Sequence, residues 1–404
     1  MSKSDLLFLA VLASLPLQLN KFFFFDFSYV LGLPIDYRAV AIYASDFVVA
    51  AYLVFFVLEK NSFPKQFFPI VVTFNLYLFA NSLFFSVSKE ISLFFNFKIF
   101  LFSFMALAAA KTLIRPNVQK LLPKVIVFSL LWQSLIIITQ FLLQRSLGLW
   151  FLGERTFDSS TVNIAHTQIA GVEALRPYGT FPHPNVAAAF LLIYLIILAS
   201  TKRGKPKFFT VIFSFFAIVI TNSQAALLAT AAVLISQALK LKKLLFILLA
   251  IVSTIFVFFK YLSESQVASI AERLTLAQKA LEITSQNPAF GIGSLNFISE
   301  LSKYNLISIG QIRLLQPVHN VFLLILTENG LIGLLLFVLL LFIVAKNINT
   351  RPKLALFVAF LIFASLDHFL WTLQQGQLLL FLSIAYIISK QPNPHRLSYK
   401  NSPK

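Results

Sequence analysis

A few side chains in this sequence have the chemistry to act on a substrate, and most stand at the ends of apolar runs. His319-Asn320 heads the run Val321–Val344, and an imidazole titrating near 6.5 can act as a base close to neutrality. Arg176 opens Arg176-Pro177-Tyr178-Gly179-Thr180-Phe181-Pro182-His183-Pro184-Asn185. Three prolines stiffen that segment, and Asn185 is expected to N-cap a helix over Val186–Ser200. A rigid arginine beside a helix N-terminus suits an anion, most naturally a phosphate. Arg273 lies in Glu272-Arg273-Leu274, Thr221-Asn222-Ser223-Gln224 makes a short polar turn, and Asp367-His368 with Trp371 closes another apolar run. Ionisable groups at membrane depth are expensive and are therefore candidates for function. Each also has a plainer explanation: an interfacial histidine, an arginine meeting lipid phosphate, a hydrogen-bonded hairpin, an Asp–His pair that holds helices together.

The elements that must position these groups are membrane helices. Of the 404 residues 58% are hydrophobic and only 12% charged, about half the usual charge of a globular domain, and the mean hydropathy is +0.84. Apolar runs of roughly 17–25 residues, enough to cross a bilayer as helices, recur throughout. The strand alternation of an outer-membrane barrel is absent, which leaves an all-α polytopic membrane protein. Candidate spans are Leu6–Leu19, Ala39–Leu58, Phe67–Phe85, Ile91–Ala110, Val125–Leu143, Asn185–Ser200, Phe208–Ile220, Ala225–Leu239, Leu244–Phe259, Val321–Val344, Leu354–Leu370 and Leu373–Ile388, about twelve in one integral domain over residues 1–404. A lysine precedes the first run and no small-residue cleavage site follows, so it is read as a retained anchor.

Every second connection is basic. Lys111, Arg115, Lys120 and Lys124 share one; Lys202, Arg203, Lys205 and Lys207 follow, then Lys240, Lys242 and Lys243, then Lys346, Arg351 and Lys353, then the tail. This positive-inside pattern puts both termini in the cytoplasm. The net charge of +18 is thus a topology signal and a contact for anionic membrane lipids, and no nucleic-acid partner is expected. Two long connections, 144–184 and 260–318, then fall on the outer side, where long ordered loops carry function. The second is expected to be helical over Ser265–Thr284, with Val267, Ile270, Ala271, Leu274, Ala277 and Leu281 on one apolar face. It breaks at Asn287-Pro288 and Gly291-Ile292-Gly293, and a short amphipathic piece over Leu295–Leu301 follows, so that the loop lies over the bundle as a lid. His319 and Gly330 are three turns apart on one helix face, and Gly330 and Gly333 leave room there for a close-packed helix.

With no cysteine, disulfides and thiolate chemistry are excluded. The outer-loop acidic residues show no Asp-x-Asp pair or metal-ligand spacing, and no phosphate loop or dinucleotide fingerprint occurs. Neither a metal nor a cofactor is expected, so arginines must supply whatever charge a pyrophosphate needs.

Three segments resemble the O-antigen ligase/polymerase superfamily of bacterial membrane glycosyltransferases. Arg176-Pro-Tyr-Gly-Thr-Phe-Pro-His-Pro-Asn185 is similar to its Arg-x-x-Gly-Thr-Phe…Pro-Asn segment, and Arg273…Asn287-Pro-x-x-Gly291-x-Gly293…Asn296-Phe297 to its outer-loop pattern. His319-Asn320, nine residues, Gly330-x-x-Gly333 resembles its ligase motif. The resemblance spans roughly residues 150–390. It implies a glycosyltransferase C-type fold with a large helical outer loop between spans 9 and 10. It also implies a metal-independent transfer from an undecaprenyl-pyrophosphate-linked glycan to a glycan, lipid A core or protein acceptor, outside the cytoplasmic (inner) membrane. Carried over, His319 activates the acceptor hydroxyl while Arg273 and Arg176 hold the pyrophosphate; Asn185, Asn320, Asp367 and His368 are candidate substrate contacts. One departure stands out. Many members carry Ser-x-Ser-Arg at the short outer turn, where this chain has Asn222-Ser223-Gln224. Either Arg176 or Arg313 takes over that charge, with Gln224 touching substrate, or this branch handles its donor differently. The ligase type is expected first; a polymerase, a protein O-oligosaccharyltransferase and a transporter or flippase of lipid-linked sugars are the alternatives.

Overall fold

The computed structural model describes residues 1–162, 164–169, 172–201, 208–239, 264–307 and 313–390. The expected span Leu244–Phe259, the basic clusters at 202–207 and 240–243, and the tail after Lys390 lie outside the described residues.

The described chain is mostly helical. Helix α1 (Lys3–Ser14) begins at a capping box, where the Ser2 hydroxyl accepts from Asp5 N–H and the Asp5 carboxylate accepts from Ser2 N–H; two otherwise unpaired donors are satisfied reciprocally. The first expected run stops short of Leu19. Two antiparallel ribbons follow, pairing β1 (Asn20–Phe23) with β4 (Val40–Tyr43) and, between them, β2 (Tyr29–Val30) with β3 (Leu33–Pro34). The start of the second expected run is therefore strand: Val40, Ile42 and Tyr43 are β-branched or aromatic and pair across the ribbon. Helix α2 (Ala44–Leu58) starts only where the Asp46 side chain accepts from Tyr43 N–H at 2.9 Å.

Helices α3 (Phe68–Phe84), α4 (Lys89–Thr112), α5 (Pro116–Leu143), α6 (Pro184–Ala199), α7 (Phe208–Ile220) and α8 (Gln224–Leu239) follow, with ribbon β5 (His166–Ile169)/β6 (Val172–Leu175) between α5 and α6. Then come α9 (Glu264–Gln286), α10 (Phe297–Leu301), α11 (Val321–Ala345), α12 (Arg351–Leu366), α13 (Phe369–Thr372) and α14 (Gln374–Ile388). Among the described residues α4, α5 and α11 are long and apolar enough to cross a membrane, and six shorter helices are similarly apolar.

Cross-links sort the connections to the two ends of this bundle. At one end, Gln18 N–H donates to the Leu152 carbonyl, the Thr180 hydroxyl to the Pro16 carbonyl, Val87 N–H to the Ile292 carbonyl and the Asn320 amide to the Ser365 carbonyl. Buried Arg38 ties the first ribbons to this end, donating to the carbonyls of Phe27 (2.7 Å) and Leu295 (2.6 Å) and to the Ser88 hydroxyl (3.0 Å). At the other end, Arg115 bonds Asp5 at 2.7 Å and Asn61 at 2.8 Å, and Lys353 donates to the Ser389 carbonyl.

Three local outcomes differ from the sequence expectation. Helix α9 buries Leu276, Ala280 and Ile283, while Leu274 and Leu281 are exposed. The helix has two apolar stripes, and the one with the small Ala280 packs against α11; Arg273, one turn before Leu276, shares that inward side. The run Leu354–Leu370 is broken, because Asp367 is extended and its carboxylate captures His368 N–H at 2.7 Å, the local competition by which Asp ends helices. Gly330 is no helix-packing position either. It kinks α11 at φ +66°, ψ −175°, and Leu331 N–H and Ile332 N–H donate out to the carbonyls of Pro288 and Ala289. Ile292 N–H and Gly293 N–H in turn donate to the carbonyls of Thr327 and Glu328. The Asn-Pro…Gly-x-Gly turn and the Gly-x-x-Gly of α11 are thus one backbone joint. A Cβ on Gly330 would stand 2.2 Å from the Ala289 oxygen. Gly330→Ala is expected to destabilise the fold by more than about 2 kcal/mol, from the left-handed backbone and the clash together; thermal unfolding in detergent measures it.

Candidate functional site

The cross-linked end encloses a cavity of about 730 Å³, in the size range of small-molecule sites. Into it open Arg176, Asn185, Arg273, His319, Asp367 and His368, drawn from four separated parts of the sequence.

A continuous polar chain orders them. The Arg176 Nε donates to the Thr221 carbonyl at 2.8 Å and its Nη2 to Asn185 Oδ1 at 2.7 Å. The Asn185 Nδ2 donates to Asp367 Oδ2 at 2.6 Å. Arg273 Nη1 donates to the Leu366 carbonyl at 3.0 Å, at the exposed carbonyl end of α12. The His319 and His368 rings meet edge to face at 5.1 Å, Tyr37 sits edge-on to His368 at 5.5 Å, and His368 Nδ1 is bonded to the Thr372 hydroxyl at 2.6 Å. His319 Nδ1 is buried with no hydrogen-bond partner among the described residues. Asn185 does not cap α6. His183 does, its Nδ1 accepting from Asn185 N–H at 3.1 Å. The Asn185 side chain is thereby free to join Arg176 to Asp367.

The electrostatics follow from this crowding. Burial lowers the His319 pKa below its usual 6.5, and neighbouring His368 and Arg273 lower it further while Asp367 pulls the other way. Burial also lowers His368, takes His183 down to about 3 with help from Arg176, and takes Arg176 down to about 10. Burial pushes the Asp367 carboxyl up, but His368, His319 and His183 in their protonated forms, together with Arg273, outweigh it and hold the group below the ordinary carboxylate range. Neutral imidazoles beside one carboxylate and two guanidinium groups leave a site that receives an anion and can still take up a proton.

Two expected contacts lie elsewhere. Gln224 is exposed at the start of α8, and Arg313 is exposed in a bridge pairing it with Ile307; neither lines the cavity. Asn320 is the N-cap of α11, accepting from Leu323 N–H at 2.9 Å. The ligand atoms of His319, Asp367 and His368 lie within 4.8 Å of one another, a group able to hold a metal ion. With 47 residues between His319 and Asp367 in the sequence, no spacing rule could have exposed that trio. The cavity also takes in Tyr37, Arg155, Lys98, Gln374 and Gln377, which belong to none of the sequence motifs. Lys98 had a usable signal: it is the only charged residue in Ile91–Ala110, and lone charges at membrane depth are candidates for function.

Fold and site together define a helical membrane protein with a basic, histidine-bearing cavity at one end. Residues 187–338 match the family model described as O-Antigen ligase, and that match supports the O-antigen ligase/polymerase superfamily, a family of glycosyltransferase-like enzymes acting on lipid-linked glycans. No curated protein matches the sequence.

Proposed function

We propose that this protein transfers a glycan from undecaprenyl pyrophosphate to an acceptor hydroxyl on the outer face of the cytoplasmic membrane, in the manner of an O-antigen ligase. The observation that carries this reading is the convergence of His319, Arg273 and Arg176 on one cavity. A glycosyl pyrophosphate already has a good leaving group. The reaction therefore needs stabilisation of the charge that develops on it and a base at the incoming hydroxyl. His319 takes the hydroxyl proton as the oxygen attacks the anomeric carbon. The bond from that carbon to the pyrophosphate oxygen breaks, and Arg176 and Arg273 hold the departing undecaprenyl pyrophosphate.

The missing arginine of the short turn has a local substitute. Arg176 donates to the Thr221 carbonyl, so its guanidinium stands against the turn that ends in Gln224. Arg313 and Gln224 then have no place in the chemistry. His319, Asp367, His368 and the two arginines gather at one end of the bundle, which favours transfer chemistry over passage of a lipid-linked sugar through the membrane midplane.

The test is transfer in proteoliposomes carrying an undecaprenyl-pyrophosphate glycan, with lipid A core, free repeat unit and a Ser/Thr-rich protein offered separately as acceptors. Product is expected on lipid A core and is expected to persist in EDTA. Glycan crossing the bilayer with no new glycosidic bond would overturn the enzyme reading. Loss of transfer in EDTA, restored by a divalent ion, would instead turn His319, Asp367 and His368 into metal ligands. Reporter fusions placing residues 264–307 in the cytoplasm would reverse the sidedness.

A further inference from the structure

The cavity has a second polar region that owes nothing to the residues just discussed. It is built by β4 and the start of α2, by α4, and by the first turn of α14, all outside the matched residues 187–338. Lys98 Nζ lies 3.3 Å from Asp46 and donates to the Ala41 carbonyl at 3.0 Å, over the rings of Tyr43 (4.7 Å) and Phe94 (5.6 Å). Asp46, just behind the cavity wall, also accepts from the Gln374 amide at 2.6 Å. That bond and one to the Ser45 hydroxyl fix the Gln374 NH₂ group. Its Oε1 is buried, with no partner among the described residues, on a side chain that lines the cavity and is only 4% exposed. Gln18, also in the lining, has a second unpartnered Oε1.

We propose that this region is a subsite for a sugar ring, with Gln374 and Lys98 as its polar contacts, Tyr43 and Phe94 as its apolar face, and Asp46 as the residue that positions them. The inference rests on the glycosyltransferase reading and extends it to substrate specificity. The chemistry selects the ligand class. Lys98 is neutralised by Asp46, and the side chains of Gln374 and Gln18 in the same lining each carry an unpartnered amide oxygen, so an anion has nothing to gain there. Unpartnered buried acceptors call for a ligand that donates, and the lysine N–H groups for one that accepts. Hydroxyls do both, and the C–H face of a pyranose suits an aromatic wall. The two regions thus divide the cavity: pyrophosphate to the guanidinium groups, a sugar ring to the amide and the ion pair. Because Lys98, Asp46 and Gln374 lie outside the matched residues, they are where this chain can set its own sugar preference.

The experiment compares binding to the full-length protein in detergent of undecaprenyl pyrophosphate, the same lipid carrying one N-acetylglucosamine, and methyl glycosides of glucose, galactose, rhamnose and N-acetylglucosamine with the bare lipid present. Wild type is expected to bind the sugar-bearing lipid about tenfold tighter than the bare one, or to bind at least one methyl glycoside; the first outcome assigns the donor's sugar, the second the acceptor's. Gln374→Met and Lys98→Met should each erase that gain and leave the bare-lipid affinity within about twofold. No sugar-dependent binding in wild type, or a gain retained in either folded variant, overturns the subsite. Failure of the bare lipid to bind wild type counts against the proposed function instead, and the glycosides then still report on the subsite. Should neither variant fold, diazirine-bearing glycosides on wild type decide: labelling within 94–98 or 374–377 supports the subsite, and labelling confined elsewhere overturns it.

Discussion

Glycan transfer by a His319→Ala protein is expected to fall by about 10²–10⁴-fold, the usual worth of a positioned general base, while the affinity for the lipid-linked donor stays near that of wild type. The structural side effects should be small. Asn320 still caps α11, the carboxylate–amide–guanidinium chain from Asp367 to Arg176 does not pass through His319, and the lost contact is one edge-to-face ring pair. A kcat defect with an unchanged donor Kd is the signature of a group used only in the transition state. A loss below about tenfold would remove His319 from the base role.

The pH dependence of the same reaction tests the electrostatics. In the free protein His319 is held below 6.5 by burial, His368 and Arg273. A base must be unprotonated, so kcat/KM, which reports the free enzyme, should hold steady as pH falls through 6.5 and drop only at lower pH. A bound pyrophosphate brings negative charge to Arg176 and Arg273, which cancels part of the field that disfavours the imidazolium. The His319 pKa should then rise, moving the acid limb of kcat to higher pH than that of kcat/KM. Coincident limbs, or the reverse order, would mean that the donor does not sit against these arginines.

The sequence made the helices legible because nearly every span is an uninterrupted apolar run, and the Arg176, Arg273 and His319 motifs marked residues that line one cavity. Its failures share one setting. Asp367, Gly330 and Val40–Tyr43 all lie inside runs whose hydrophobicity continues, and two of the breaks come from partners elsewhere in the chain: the Ala289 carbonyl at Gly330, strand β1 at Val40–Tyr43. Asp367 differs, since its own carboxylate stops the helix by taking His368 N–H. The role of Asn185 was half visible. A position beside Pro184 read as a cap, and only the fold reveals His183 doing that job while Asn185 reaches Asp367, 182 residues away. Glu328 in α11 had the same signal as Lys98, a lone charge in an apolar span, yet it faces the backbone joint near Phe297 N–H and does not line the cavity. A lone intramembrane charge therefore points to structure as readily as to chemistry.

Arg176→Lys is expected to lower donor affinity and kcat/KM together, by about 10²-fold, although the charge is kept. One charge-assisted hydrogen bond contributes about 1.5–3 kcal/mol, and arginine here makes two in fixed directions, from Nε to the Thr221 carbonyl and from Nη2 to Asn185 Oδ1. An ammonium on a shorter, single-point head cannot reach both while presenting charge to the cavity. Whichever bond is lost leaves a partly buried acceptor unpaired. If Asn185 is the one released, Asp367 loses its orienting amide, and the pair of histidines beside it loses its fixed carboxylate. The lysine protein should therefore weaken donor binding and also shift the acid limb of kcat, whereas an arginine serving only as a charge would show neither. An exposed arginine that merely meets lipid phosphate would tolerate lysine with less than about a threefold change, since surface ion pairs contribute about 0–1 kcal/mol. Donor titrations of wild type, Arg176→Lys and Arg176→Met in the same detergent separate these cases, because only a bidentate role makes lysine nearly as damaging as methionine.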